Sequence, residues 1–222
     1  MKGRSTDPAS EAATFFNVFA EAFDTLYDGK RNIVMRWIDR HFRSDMFARF
    51  ALTFETLGDI AGRTILDIGC GSGPYVVEAL KRGARHVTAV DPASNMLMLT
   101  RERISRAGGM DRCRLVAGLF PSVTLQPHDY AIVMGVMDYV ADAEAFLAAL
   151  RPLVVQAAAV SFPSKHWLRT PLRRVRYRLR RCPVYFYDER EIRRLASNAG
   201  FQHIDLTKIS GAGMDFHACL KR

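Results

Sequence analysis

The chain has 222 residues, of which 49% are hydrophobic and 25% charged, and a formal net charge of +9. This is the composition of a soluble globular protein with enough length for a sizeable core, and it excludes a disulfide-stapled miniprotein, a low-complexity chain and a collagen-like repeat. The four cysteines, Cys70, Cys113, Cys182 and Cys219, lie far apart without the paired spacing of a zinc site, so no metal is expected and reduced thiols are. The polar first residues lack the apolar stretch of a signal peptide, and no run approaches the ~18 apolar residues of a membrane span, which gives a cytoplasmic expectation.

Read in chain order, Phe15, Phe16, Phe19, Phe23 and Leu26 recur at helical spacing from Glu11 to about Tyr27, and two further helical stretches follow at about 31–43 and 44–57. Gly58 and Gly62 bracket the entry to a first strand. The spacing then predicts strand 64–68, helix 74–83, strand 86–90, helix 93–107, strands 113–117 and 129–135, helix 142–151 and strand 153–161. A helix at about 188–199, with Asp188 as its cap and Gly200 past its end, precedes strands at about 201–209 and 214–220. Alternation of this kind argues an α/β domain with a doubly wound, mostly parallel sheet. The domains expected are an N-terminal helical lid or extension over 1–58 and a core domain over 59–222, with a basic helical insertion at about 165–182.

The segment Thr64–Pro74 carries the strongest signal. Ile65, Leu66 and Ile68 end a buried strand, and Gly69, Gly71 and Gly73, with Cys70 between the first two, make a tight turn that a ligand can approach without meeting a Cβ. Asp67 lies two residues before the first glycine, where a carboxylate meets a cationic or hydroxylated ligand. The second strand ends in Asp91, placed either to hold two ribose hydroxyls or to cap the next helix. A dinucleotide fingerprint requires a glycine at position 74, which is Pro74.

The pattern Asp-x-Gly-x-Gly-x-Gly from Asp67 to Gly73 resembles motif I of the class I S-adenosylmethionine (SAM)-dependent methyltransferases, and Val90–Leu97 resembles their next motif. The resemblance covers about residues 60–220 and implies a seven-stranded Rossmann-like methyltransferase fold with a final antiparallel hairpin. The segment Phe23–Asp28 is similar to the lid of small-molecule members such as the quinone-pathway and magnesium-protoporphyrin enzymes, which places Tyr27 over the cofactor. The resemblance further implies that Asp67 attracts the amino group of SAM, Asp91 takes the ribose, and Pro92 and Met96 flank the adenine. Gly118 and Leu119 stand where many members have an adenine-binding acid, so only a backbone contact is expected there. Met134 and Gly135, in a stretch similar to motif IV, face the methionine part, and the neighbouring Asp138 and Tyr139 are the candidate catalytic groups. Asp138 can instead be exposed or cap the following helix. His128, His203 and His217 read as structural or exposed, and His166, just after the fifth strand, as the exception beside the acceptor.

The excess charge is local. Lys165, Arg169, Arg173, Arg174, Arg176, Arg178, Arg180 and Arg181 supply almost all of it, and no acid occurs between Glu144 and Asp188. Thr170-Pro171 starts a helix, and Leu168, Leu172, Val175 and Leu179 give it one apolar stripe. Such a helix suits an anionic membrane surface, an acidic partner or an anionic substrate, and its few aromatics disfavour nucleic acid. The expected activity is methyl transfer from SAM to a small or amphiphilic acceptor at oxygen, in the cytoplasm or peripherally at a membrane. A SAM-binding module that has lost its catalytic pocket and a nicotinamide-dependent oxidoreductase stay open as alternatives.

Overall fold

The computed structural model describes residues 46–165, 184–209 and 215–222. The helices expected before residue 44, Tyr27 and the rest of the lid segment, His166, Cys182 and the arginine-rich stretch lie outside the described residues. Helix α1 runs over residues 46–57. It is followed by β1 (Thr64–Ile68), α2 (Pro74–Lys81), β2 (His86–Asp91), α3 (Ser94–Arg106), β3 (Cys113–Ala117), β4 (His128–Val133), α4 (Ala143–Leu150), β5 (Val154–Phe162), α5 (Glu189–Asn198), β6 (His203–Lys208) and β7 (Phe216–Lys221). Every strand expected from the pattern is present. Two short 3₁₀ turns, Met110–Arg112 and Arg151–Leu153, were not foreseen, because three-residue turns leave no periodic signal.

The seven strands form one sheet in the order β3-β2-β1-β4-β5-β7-β6. All pairings from β3 to β5 are parallel, whereas β7 is antiparallel to both β5 and β6. This is the doubly wound sheet with the terminal hairpin expected above. The strand order reverses between β1 and β4, which opens the crevice where open α/β sheets bind ligands.

The period of two in the central strands divides the core. Leu66, Ile68, Ala131 and Val133 face α4 and α5, where they pack on Phe146, Leu147, Leu150, Ile192 and Leu195. Ile65, Val87, Ala89 and Ile132 face the other way, onto Val76, Ala79 and Leu80 of α2, Leu97 and Ile104 of α3, and Phe54 and Leu57 of α1. Asp67 shares the parity of Ile65, so the motif acid enters the same layer as these helices. Helix starts follow the residues foreseen. Pro74 opens α2 behind Gly73, Asp188 accepts the Glu191 N–H at 2.9 Å to cap α5, and Gly200 takes a φ of 91° just beyond its end.

Ile132 is fully buried at the centre of the sheet, between β1 and β5. Ile132→Ala is expected to cost about 2–5 kcal/mol of stability, the range for truncating a buried Ile or Leu. Urea denaturation with an unchanged slope checks it.

Candidate functional site

The carboxyl ends of β1 to β4 bring the expected residues together. The turn after β1 folds back on β2: the Gly69 and Cys70 N–H groups both donate to the Val90 carbonyl, at 2.8 and 3.1 Å. The three glycines have φ of 71°, 53° and 82°, a left-handed region costly for side-chained residues. Their reasons differ. A Cβ at Gly69 would run into Val136 and one at Gly73 into the Thr100 hydroxyl at 2.9 Å, so these two are closed by the protein itself. A Cβ at Gly71 would meet nothing within 4 Å, which makes Gly71 the open side of the turn.

Asp91 holds this turn to the start of α3. One carboxylate oxygen accepts the Gly71 N–H and the other the Ala93 N–H, each at 2.9 Å. The helix-entry reading of Asp91 is therefore present in the structure, and it coexists with ligand binding, because a carboxylate offers about four acceptor positions. Burial raises the acid's pKa above its ordinary value, and the two N–H bonds offset only part of that rise. The backbone carbonyl of the same residue accepts the Gly118 N–H at 3.1 Å, which brings the β3 loop with Leu119 alongside. Pro92 is exposed, and Met96 is buried against Ala93 and Leu99.

Asp67 is 1% exposed, and its Oδ2 has no hydrogen-bond partner. Burial, reinforced by the nearby Asp91 charge, pushes its pKa up to about 8. A buried acid with an unused oxygen, beside the open side of a glycine turn, fits a ligand that brings a positive charge and N–H donors. Thr100, which the sequence did not single out, supports the turn from behind by donating to the Gly71 carbonyl at 2.6 Å. Its signal was faint: it falls on the inner face of α3, one turn after Met96.

At the β4 end the structure places Thr53 and Ser161, which the sequence did not single out, and His217, read there as structural or exposed, beside Met134 and Gly135. Gly135, with φ 72°, donates its N–H to Ser161 Oγ on β5 at 2.8 Å. Thr53 of α1 donates to the Arg49 carbonyl at 2.7 Å, and its oxygen lies 3.7 Å from Met134 Sδ and 3.4 Å from His217 Nε2. Ser161 and His217 are register partners across β5 and β7. Burial and the Arg49 charge lower the His217 pKa to about 4, so the imidazole is neutral at pH 7. His217 thus sits at the β4 end of the candidate cleft, whereas His128 is structural, its Nε2 2.9 Å from the Thr88 hydroxyl.

The loop after β4 corrects one expectation. Asp138 is neither exposed nor a cap: it is 9% exposed, and Asp142 caps α4 by accepting the Ala145 N–H at 2.9 Å. The Asp138 carbonyl accepts the Tyr185 N–H at 2.9 Å, and the Tyr187 hydroxyl lies 3.3 and 3.4 Å from the Met137 and Val140 carbonyls. Tyr139 is half-buried in the same loop. Both described ends of the basic stretch meet here, since Lys165 N–H donates to the Tyr187 carbonyl at 3.0 Å. Lys165 itself pairs with Asp188 and Glu191, at 3.1 and 2.7 Å, so its charge is answered locally. Among the described residues no cluster of three or more His, Cys, Asp or Glu could hold a metal, and no helix is long and apolar enough to cross a membrane.

Residues 65–156 match the methyltransferase domain family. The tRNA U34 carboxymethyltransferase of Shewanella piezotolerans is 34% identical over 102 residues, which is 45% of this chain and 30% of that protein. The chain thus spans under a third of the length of this curated relative. Magnesium protoporphyrin IX methyltransferase from Synechocystis PCC 6803, solved with bound SAM, superposes with a TM-score of 0.74 at 16% identity, covering 100% of both chains. The 1,6-didemethyltoxoflavin-N1-methyltransferase of Burkholderia thailandensis gives a TM-score of 0.68 at 18% identity, over 100% of this chain and 92% of that one. Glycine turn, acid pair, sheet order and domain match agree: residues 65–156 are a methyltransferase domain of the SAM-dependent kind, set in a sheet with the order and terminal hairpin of that fold.

Proposed function

We propose that this protein transfers the methyl group of SAM to an oxygen of a small or amphiphilic acceptor that carries an anionic group. The observation that carries the cofactor half is the convergence, at the point where strand order reverses, of the unpartnered buried Asp67 oxygen, the clamped Asp91 carboxylate and the open side of Gly71. When bound, SAM supplies an already activated electrophilic methyl group. The protein's part is then to bind, orient and exclude water. In this reading Gly71 admits the ligand against the backbone, Asp91 holds the ribose while fixing the turn, and Asp67 answers the positive charge. Pro92, Met96, Gly118 and Leu119 border the adenine, and Met134 and Gly135 the methionine part. Tyr139 orients the acceptor, Asp138 shapes the loop beneath it, and Tyr27 and His166 belong to the lid and the acceptor side.

The acceptor half rests on the two described flanks of the basic stretch, both hydrogen-bonded near the loop that holds Asp138 and Tyr139. Seven arginines between them then stand in sequence next to the acceptor end of the cleft. Guanidinium groups bind carboxylate and phosphate in a two-pronged fashion, which suits an anionic acceptor or the headgroups of a peripheral membrane site. The tRNA named for the Shewanella relative does not carry over, because that match covers less than half of this chain.

Isothermal calorimetry with SAM and with its demethylated product tests the cofactor half. Gly71→Ala is expected to fold and lose binding, whereas Gly73→Ala loses thermal stability first, because its Cβ meets Thr100. Asp91→Ala is expected to weaken SAM by about 1.5–3 kcal/mol and to lower stability by about 1–3 kcal/mol, since two backbone N–H groups lose their acceptor. Tight nicotinamide dinucleotide binding without SAM binding would overturn the assignment.

The acceptor half is tested on Arg173, Arg174, Arg176 and Arg178, replaced together by Gln. SAM affinity is expected to hold, while binding to vesicles with anionic headgroups, or turnover of a carboxylated acceptor, falls and becomes insensitive to salt. Wild-type binding and turnover that ignore both salt and the substitutions would reduce the segment to a solvated cover.

A further inference from the structure

The two motif acids differ in how they are held. Asp91 has an N–H donor on each oxygen, which stabilises its charged form. Asp67, 1% exposed, has a buried Oδ2 that accepts nothing. Among the described residues neither carboxyl pairs with a lysine, arginine or histidine. Among the described residues the groups facing Asp67 from the packed elements add no positive charge. Its register partners are Ala89 on β2 and Ile132 on β4. Cys70 in the turn and Cys113 on β3 both sense the Asp67 charge and are themselves kept as neutral thiols, Cys113 pushed up to about 12. The Arg101 charge acts on Cys113, whereas burial and the Asp91 charge are what shift Asp67. On α3 the Thr100 hydroxyl, which reaches the same turn, is committed to the Gly71 carbonyl.

Two neighbouring buried carboxyls without a cation cannot both ionise near neutral pH, so one proton is shared within the pair. The bonding assigns it to Asp67, because Asp91 is the acid whose anion is solvated by backbone N–H groups. We propose that ligand-free protein carries a proton on Asp67 and releases it to solvent when the cationic cofactor binds against the glycine turn, so that SAM binding and loss of one proton are a single linked event. This rests on the cofactor reading above and adds to it a charge-selection role: the site becomes doubly anionic only for a ligand that brings its own positive charge.

The signs follow from linkage. The folded, ligand-free pKa of Asp67 is raised from 3.8 to about 8, so its contribution to stability is fully present below about 4 and is lost as pH rises through about 8. A cation beside Asp67 lowers that pKa, so the complex holds fewer protons and affinity rises with pH below it.

The test is calorimetry of the full chain with SAM at about pH 6.5 in buffers of different ionisation enthalpy. At that pH the cofactor's own amino group, with a pKa near 8, stays protonated and adds almost nothing. The expected slope is close to one proton released per SAM bound. Affinity should rise about tenfold per unit between about pH 5.5 and 7. Asp67→Asn should bind with no proton release and a flat profile over the same window. Should that variant fail to fold or bind, the wild-type slope decides, together with ligand-free thermal stability that falls from about pH 5 to 8. SAM binding without proton release, or release that persists in Asp67→Asn, overturns the proposal alone. No SAM binding at all overturns the cofactor reading and this proposal with it.

Discussion

The carboxylate of Asp91 is the tie on which the candidate site depends. Its two oxygens hold the N–H of Gly71 and of Ala93, so the turn after β1 and the entry to α3 are set by one side chain. The Gly69 and Cys70 N–H bonds to the Val90 carbonyl and the Thr100 bond to the Gly71 carbonyl hold the turn as well, but only Asp91 joins it to the entry of α3 by a side chain with one oxygen on each. Gly71 sits in the left-handed region, where no repeating hydrogen-bond ladder operates, and Ala93 begins α3 with no side chain able to cap it. A charged acceptor bonded to two N–H groups is worth more than two neutral bonds and tolerates burial because both donors are in place. The carbonyl of the same residue draws in Gly118, so the ends of β1, β2 and β3 are fixed relative to one another from a single position.

The cleft has two chemically different ends. On the β1–β2 side it is acidic, with Asp67 and Asp91 and no described cation between them. On the β4–β5–β7 side it is built from neutral hydroxyl and imidazole groups, Thr53, Ser161 and His217, with the Arg49 guanidinium 4.0 Å from where a Cβ on Gly135 would stand. The charge of Arg49 helps keep His217 uncharged. A ligand lying across the switch point would therefore place its cationic part over the acids and its other end near neutral hydroxyl and imidazole groups and the Arg49 guanidinium. The flanks of the arginine-rich stretch reach the same neutral end, beside the loop of Met137 to Val140.

Low identity with high structural overlap has a plain cause in this fold. At 16% identity the Synechocystis enzyme shares the whole architecture, because an α/β/α sandwich asks mainly for alternating apolar residues in its strands and one apolar stripe on each helix. Many sequences meet that demand.

The sequence by itself determined the order and type of the described strands and α-helices, the sheet class, and the turn with its two acids. Those signals are local: a period of two or of 3.6, a proline at a helix start, glycines at alternate positions. It also carried the cofactor class, through the resemblance of Asp67–Gly73 to motif I, while Pro74 only disfavoured a dinucleotide. Tertiary structure decided which glycine faces a ligand. Gly69, Gly71 and Gly73 are indistinguishable as letters, and only Val136 and Thr100, 67 and 27 residues further along, close two of them. It decided that Asp138 is buried while Asp142 caps, because the segment Val184–Tyr187 returns to cover the loop. It also gathered Thr53, Ser161 and His217, which lie far apart in the chain and meet only through the pairing of β5 with the antiparallel β7 and the packing of α1 against them. Contacts of that sequence separation have no signature in composition or spacing, because each residue alone satisfies the pattern of the element that holds it.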